Sequence, residues 1–125
     1  MTKILVAEDD ANIVELIREI LQEDGYHVTT VGSGTEALAV VRTVDPDLVL
    51  LDFMLPGKDG YEVLLELQQD EGLQRIPVIM ITSQDGILYP QISVAIGAVH
   101  HLQKPFRSGE LLEVVERALE GGRSQ

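Results

Sequence analysis

Polar side chains stand at or just after the ends of four short apolar runs in this chain. In chain order they are Glu8, Asp9 and Asp10, then Asp52, then Thr82 and Ser83, and last Lys104. If the runs are parallel strands of one open α/β sheet, these side chains converge, because ligands in such sheets bind beyond the carboxyl ends of the strands. We therefore expect the chemistry of the chain at that edge.

The acidic residues of this set predict a site for a hard cation. Two carboxylates ~4 Å apart at an effective dielectric constant of ~20 repel each other by about 4 kcal/mol, so clustered acids require protonation or a cation. Magnesium prefers oxygen ligands, and one or two carboxylates commonly hold it together with a substrate phosphate. Asp52 is then free to act as a nucleophile, while the metal and Lys104 offset charge on a transferring group.

The apolar runs have the composition of strands in a parallel sheet. They are Ile4–Ala7, His27–Val31, Leu48–Leu51, Pro77–Ile81 and Val99–Leu102. Three of them are nearly continuous Val, Ile and Leu, as expected for strands that are buried on both faces.

Helical patterns lie between the runs. One apolar face repeats at helical spacing through Ile13, Leu16, Ile17, Ile20 and Leu21, and Gly25 then supplies a C-terminal stop. Ser33 with Glu36, and Asp59 with Glu62, have capping-box spacing, and a last helix is predicted to begin near Ser108. Alternating strands and helices predict a five-stranded, parallel, doubly wound α/β domain with helices on both faces.

Composition limits the classes of function. The chain has 125 residues, the size of one compact domain, so we expect one site. Lys and Arg number 9 and Asp and Glu 21, which gives a formal net charge of -12. Such a field repels a phosphate backbone, so we expect no direct binding of nucleic acid. For most of the acids, solubility alone is a sufficient explanation.

Hydropathy and cysteine content indicate the compartment. No apolar run approaches the ~20 residues of a membrane helix, and the short run after Lys3 lacks the length of a secretory signal. The absence of cysteine excludes disulfides and thiolate metal sites, and it fits a reducing compartment. We expect a cytoplasmic domain without a membrane partner.

The residues at the strand ends carry a resemblance to a known family. The segment Leu51–Gly60 reads LDFMLPGKDG, and it is combined with Glu8-Asp9, Thr82 and Lys104-Pro105-Phe106. This set resembles the receiver domains of bacterial two-component systems. The resemblance covers nearly the whole chain, with residues 1–120 as the receiver and 121–125 as a flexible tail or the start of a linker. It implies a flavodoxin-like sheet with strand order 2-1-3-4-5.

The resemblance also implies a role for each residue of the site. Asp52 would be the phosphoacceptor for a histidine kinase or a histidine phosphotransfer protein. Asp9 would bind Mg²⁺ or Mn²⁺ directly, and Glu8 mostly through a metal-bound water. Asp52 and the backbone carbonyl of Met54 would complete the protein ligands.

The remaining implied roles concern phosphoryl binding and the switch. Lys104 would pair with a phosphoryl oxygen, after a cis peptide bond to Pro105. Thr82 would donate to another phosphoryl oxygen and start a conformational switch. At the position of His101 receivers usually have tyrosine or phenylalanine, and Ser83 stands where alanine is more usual. Ser83 either contacts the phosphoryl group or serves only as a small side chain.

Some of these residues also have a purely structural interpretation. Asp10 is better explained as a helix N-cap than as a metal ligand, and Thr82 taken alone could be an ordinary strand residue. His100 and His101 cannot chelate one ion together, because neighbouring strand residues point to opposite faces.

Two rival functions remain to be compared with the phosphoacceptor. One is a receiver-like interaction module that is not phosphorylated. The other is an aspartate-nucleophile phosphatase, but that class carries a second aspartate two residues after the nucleophile, where this chain has Met54.

The segment 86–99 contains no charged residue, in a chain that is 24% charged. The resemblance places a fourth helix here, and Pro90 predicts that it begins near Tyr89 or Pro90. We expect about half of these side chains to fill the core. The rest predicts an apolar surface for a homodimer or an effector around Ile87, Leu88 and Tyr89.

Overall fold

The computed structural model describes residues 1–83 and 100–123, with the backbone alone for 122 and 123. The predicted helix within 86–99 and the predicted partner surface at Ile87, Leu88 and Tyr89 lie outside the described residues. Within the described part of the chain, no helix is long and apolar enough to cross a membrane.

The strands form one parallel sheet. They are β1 (Lys3–Ala7), β2 (His27–Val31), β3 (Leu48–Asp52), β4 (Val78–Thr82) and β5 (His100–Gln103). The sheet has five strands in the order β2-β1-β3-β4-β5, which confirms the predicted topology. Every residue of β3 and β4 is buried, as their continuous Val, Ile and Leu composition predicts for strands covered on both faces.

The strand boundaries differ slightly from the prediction. β4 begins at Val78 rather than Pro77. Pro77 has no N–H to donate to a ladder, and its carbonyl accepts from the amide of Val49 at 3.0 Å. β3 extends to include Asp52, which pairs with Ile81 of β4. This pairing places the Asp52 side chain at the last position of a buried strand.

Four helices flank the sheet in the described residues. They are α1 (Ala11–Glu23), α2 (Gly34–Val44), α3 (Gly60–Gln69) and a C-terminal helix (Ser108–Arg123). The predicted caps are present at two of them, because Ser33 Oγ accepts from the amide of Glu36 and Asp59 Oδ1 accepts from that of Glu62. Gly25 has a φ of 91° and ends α1 in the left-handed conformation that glycine adopts without strain.

The sheet divides the apolar core into two layers. Alternate strand residues face opposite sides, so that Leu5 and Leu51 belong to one cluster while Ile4 and Leu50 belong to the other. The first cluster contains the buried apolar side chains of α2 and α3, and the second contains those of α1 and the C-terminal helix. Helices cover both faces of the sheet. The polar residues lie at the edge formed by the carboxyl ends of the strands.

Candidate functional site

Strand register brings the polar residues to one edge of the sheet. Ala7 at the end of β1 pairs with Leu51, Asp52 pairs with Ile81, and Thr82 pairs with Gln103. Glu8, Asp52 and Thr82 are the buried polar residues at these ends, with exposed fractions of 1%, 3% and 3%. The convergence predicted from the apolar runs is therefore present.

Lys104 lies between two of the buried acids. Its Nζ donates to Oδ2 of Asp52 at 2.6 Å and lies 2.7 Å from Oε1 of Glu8. The backbone amide of Lys104 donates to the carbonyl of Thr82 at 2.7 Å, which continues the β4–β5 ladder past Gln103. The peptide bond to Pro105 is cis, as the resemblance implied. One ammonium group thus partly neutralises two carboxylates.

The electrostatics of Glu8 reflect its burial. Burial, and next its hydrogen bond with Asp52, raise the pKa of Glu8 to about 7, although the contact with Lys104 acts in the opposite direction. Glu8 Oε2 accepts from the amide of Asp10 at 3.0 Å. Oε1 is close to Lys104 but lacks hydrogen-bond geometry, so among the described residues it is a buried oxygen without a hydrogen-bond donor.

The pKa of Lys104 is subject to two opposing effects of the same surroundings. Its burial by itself would lower the pKa of the ammonium group. The hydrogen bond to Asp52, the close contact with Glu8 and the charges of both acids outweigh that effect and raise the pKa of Lys104 above its usual value. Lys104 therefore remains a cation at neutral pH.

Three carboxylates of the site have the arrangement of a metal-binding cluster. One oxygen each of Glu8, Asp9 and Asp52 lies within 4.8 Å of the others. Asp9 is exposed while the other two are buried, so the cluster opens to solvent on the side of Asp9. An all-oxygen, anionic set with one undonated buried oxygen fits a hard divalent cation such as Mg²⁺.

The backbone of Met54 is hydrogen-bonded to Asp52, which the resemblance identifies as the phosphoacceptor. Its backbone N–H donates to Asp52 Oδ1 at 3.0 Å, and its side chain is largely exposed. Both oxygens of Asp52 therefore accept hydrogen bonds, one from Met54 and one from Lys104. These two bonds fix the orientation of the carboxylate plane.

Asp10 lies outside this cluster of ligand oxygens. Its Oδ1 accepts from the amides of Asn12 at 2.9 Å and Ile13 at 3.3 Å, which makes it the N-cap of α1. The interpretation of Asp10 as a cap is confirmed, and α1 starts directly beside the acidic cluster.

Close backbone contacts around the site were not found from the sequence. A Cβ atom at Gly60 would lie 2.4 Å from the carbonyl oxygen of Asp52, and one at Gly34 would lie 1.8 Å from that of Lys58. The available signal was a glycine in the first turn of each helix, a region where other residues are normally preferred. That signal alone does not identify the segment that the glycine contacts.

Comparison with known proteins identifies the family. The model of the "Response regulator receiver domain" matches residues 4–116. The chain belongs to this family. The receiver is 38% identical over 117 residues to the DNA-binding response regulator MtrA of Mycolicibacterium paratuberculosis, covering 94% of this chain and 51% of that protein. It is 33% identical to the sensory transduction protein RegX3 of Mycolicibacterium smegmatis, over 98% of this chain and 52% of the relative. It thus spans about half the length of these relatives.

Solved receiver structures share the fold. The receiver domain of NtrX from Brucella abortus superposes with a TM-score of 0.87 at 34% identity, over 94% of this chain and 98% of that one. The receiver domain of the Francisella response regulator 1452 gives a TM-score of 0.89 at 30% identity, over 100% of both chains. The chain is therefore a response regulator receiver by sequence and by fold.

The receiver departs from the usual family pattern at positions near Thr82. Ser83 directly follows β4 and is exposed, and His101 lies half-buried on β5. Burial, and then the neighbouring His100, lower the pKa of His101 below its usual value, which favours the neutral ring. A neutral imidazole is smaller and more polar than the aromatic side chain that the family pattern predicts there.

Proposed function

We propose that this receiver is a phosphoacceptor switch, in which Asp52 takes a phosphoryl group from the phosphohistidine of a histidine kinase or a histidine phosphotransfer protein. The observation that carries the proposal is the setting of Asp52. It is a buried carboxylate at the end of a central strand, 2.6 Å from the Lys104 ammonium and clustered with Glu8 and Asp9. Interacting ionisable groups of this kind cluster at functional sites, and ligands of doubly wound sheets bind at this edge.

The proposed transfer is a displacement at phosphorus. An oxygen of Asp52 attacks, the O–P bond forms as the N–P bond of phosphohistidine breaks, and the electron pair returns to the imidazole nitrogen. Lys104 moves its hydrogen bond from Asp52 Oδ2 to a phosphoryl oxygen, where it offsets negative charge. A bound Mg²⁺ or Mn²⁺ would neutralise charge on the phosphoryl oxygens. Glu8, Asp9, Asp52 and the Met54 carbonyl would hold that cation.

Thr82 is the proposed coupling residue. It is buried at the last position of β4, and its carbonyl accepts from the amide of Lys104. A charge-assisted hydrogen bond from its hydroxyl to the phosphoryl group would contribute ~1.5 to 3 kcal/mol. That free energy shifts a two-state equilibrium by roughly ten- to a hundredfold. The readout involves His101 in place of the usual aromatic residue.

The proposal excludes nucleic acid as a partner of this domain. MtrA is named a DNA-binding response regulator, and this chain aligns with about half of it. The formal net charge of -12 repels phosphate backbones. We propose protein partners for the switch, and we expect them to dock around Ile87, Leu88 and Tyr89, which lie outside the described residues.

Phosphorylation is tested by intact-mass measurement. The parent should gain one phosphoryl group from a small phosphodonor with Mg²⁺ and none in EDTA. Asp52→Asn should gain none, whereas Asp24→Asn, which alters an exposed aspartate at the end of α1, should match the parent. Uptake by Asp52→Asn at the parent's rate would refute the assignment of Asp52. If the parent gains no phosphoryl group and its amide spectrum does not change with beryllofluoride, the interaction module that is not phosphorylated is favoured.

The switch is tested separately with beryllofluoride, a phosphoryl mimic. Thr82→Ala should still be phosphorylated, but its amide spectrum should lack the shifts that the parent shows in β5. Thr82→Ser keeps the hydroxyl and should retain most of them. Ser83→Ala distinguishes the two interpretations of Ser83. If Thr82→Ala gives the full spectrum of the activated parent, Thr82 is not the coupling residue.

A further inference from the structure

The first turn of α2 is in direct contact with the loop between β3 and α3, residues 53–59. The amide of Gly34 donates to the carbonyl of Pro56 at 3.2 Å. A Cβ atom at Gly34 would lie 1.8 Å from the carbonyl oxygen of Lys58 and 2.7 Å from its carbonyl carbon. Both contacts are to backbone, so a side chain at position 34 would force the loop away by about 1 Å or more.

Space, rather than backbone conformation, requires glycine at this position. In the described part of the chain, positive φ values among glycines occur at Gly25 and Gly57. Gly34 is therefore compatible with an L-residue in its backbone angles, and alanine would normally be favoured within a helix. What excludes alanine is the approach of the loop.

The same loop carries the groups that orient the phosphoacceptor. At its start, the amide of Phe53 donates to the carbonyl of Ile81 at 2.9 Å. At its end, the amide of Gly60 donates to the carbonyl of Phe53 at 2.8 Å. Between these points lies Met54, whose N–H donates to Asp52 Oδ1. The contact of Gly34 with Pro56 and Lys58 is a third point of attachment, and it joins the loop to α2.

We propose that Gly34 is a positioning residue for the phosphoacceptor site. It lets α2 hold the loop so that the Met54 backbone keeps its register with Asp52 and with the acidic cluster. The contacts of Gly34 are with the backbone of the loop, and it acts through them. The inference rests on the proposed function, because it assigns to the Met54 backbone a part in cation binding.

The test compares Gly34→Ala with Gly32→Ala, a matched change in the same connection between β2 and α2. A Cβ atom at Gly32 would meet only Glu36 Oε1, at 3.9 Å. Mg²⁺ affinity is measured by titration, and amide shifts are recorded without metal. Gly34→Ala should bind Mg²⁺ about tenfold more weakly, in the range found when groups that support metal ligands are altered. Its metal-free spectrum should change at Met54 and Lys58, while Gly32→Ala should match the parent in both measurements.

Phosphorylation kinetics separate positioning from a general loss of structure. With a small phosphodonor, Gly34→Ala should need more Mg²⁺ to reach half-maximal rate, and saturating Mg²⁺ should restore most of the parent's rate. Parental Mg²⁺ affinity in a folded Gly34→Ala, or an equal loss in Gly32→Ala, overturns the inference. A parent that binds no Mg²⁺ instead overturns the proposed function.

If Gly34→Ala does not fold, a second variant tests whether the contact between α2 and the loop supports Mg²⁺ binding. Pro56 is exposed, and Pro56→Gly loosens the loop at its contact with α2 without removing a buried side chain. Mg²⁺ affinity should then fall several-fold while the protein stays folded by circular dichroism. Unchanged affinity in Pro56→Gly overturns the inference.

Discussion

At the residue scale, the site is a set of three carboxylates with one ammonium group. Lys104 contacts Asp52 and Glu8, while Asp9 completes the cluster on the exposed side. With all four groups ionised the formal charge of the set is -2. Lys104 thus stabilises the acids but leaves part of their negative charge unbalanced. A divalent cation would complete the charge balance.

The pKa of Glu8 predicts how stability depends on pH in EDTA. In the folded protein its pKa is about 7, above the ordinary 4.5. Between these values the folded protein holds a proton that the unfolded chain has lost. Stability from this group is therefore fully present below pH 4.5 and is lost as pH rises through 7, by on the order of 3 kcal/mol.

Urea unfolding across that pH range checks this expectation. Glu8→Gln cannot ionise, so the free energy of unfolding of the parent relative to this variant should decline from pH 4.5 to 7. Glu23→Gln, which removes the same charge from an exposed position on α1, serves as the control. Parallel pH profiles for the parent and Glu8→Gln would show that Glu8 is not the titrating group.

At the element scale, the ends of β1 and β3 are each followed by a capped helix start. Asp10 caps α1 two residues after Glu8, and Asp59 caps α3 within the loop that follows Asp52. Gly60, the first residue of α3, lies against the carbonyl of Asp52. The starts of α1 and α3 thereby fix the backbone of the acidic residues. Helix capping therefore helps to position the site.

Asp10 offers a test that separates capping from metal binding. Asp10→Ala should destabilise the protein by about 1 kcal/mol, because two amides of the first turn lose their acceptor. Asp10→Asn keeps a side-chain acceptor and should stay close to the parent. Chemical denaturation measures both.

Magnesium titration of the same two variants completes this test. Neither should weaken Mg²⁺ binding by more than about threefold, since only a nearby, solvent-screened charge is removed. A tenfold or greater loss in Asp10→Asn, with stability intact, would instead identify Asp10 as a ligand.

At the scale of the whole molecule, cation binding should be linked to folding. The unfolded chain does not hold Glu8, Asp9 and Asp52 together, so Mg²⁺ should bind the folded state selectively. At a hundred times its dissociation constant, a ligand specific for the folded state adds about 2.7 kcal/mol of stability. The melting temperature of the parent should therefore rise with Mg²⁺ concentration.

Asp9→Ala should remove that dependence on Mg²⁺. Without metal, the variant should melt above the parent, because one like charge has left the cluster while Lys104 still pairs with Glu8 and Asp52. Asp24→Ala is an exposed control. Identical melting temperatures for Asp9→Ala and the parent in EDTA would count against repulsion among the three acids.

Most of the architecture could be predicted from local sequence patterns. The continuous apolar runs indicated β3 and β4, and the helical spacing from Ile13 to Leu21 indicated α1. The elements depend on interactions between residues close in the chain, and such interactions leave periodic patterns. The rule that ligands bind at the carboxyl ends of parallel strands then placed Asp52, Thr82 and Lys104 together.

Only the tertiary structure decided which residues of the site are buried and which of them contact one another. The resemblance gave Glu8 and Asp9 different roles toward the metal, but no local pattern predicted that the fold buries Glu8 and exposes Asp9. Lys104 meets Asp52 across 52 positions of the chain, and Gly34 meets the carbonyl of Lys58. Such contacts are made by chain segments that approach only after the helices pack on the sheet. Burial, pKa and backbone proximity are properties of that packing, and a local pattern does not encode them.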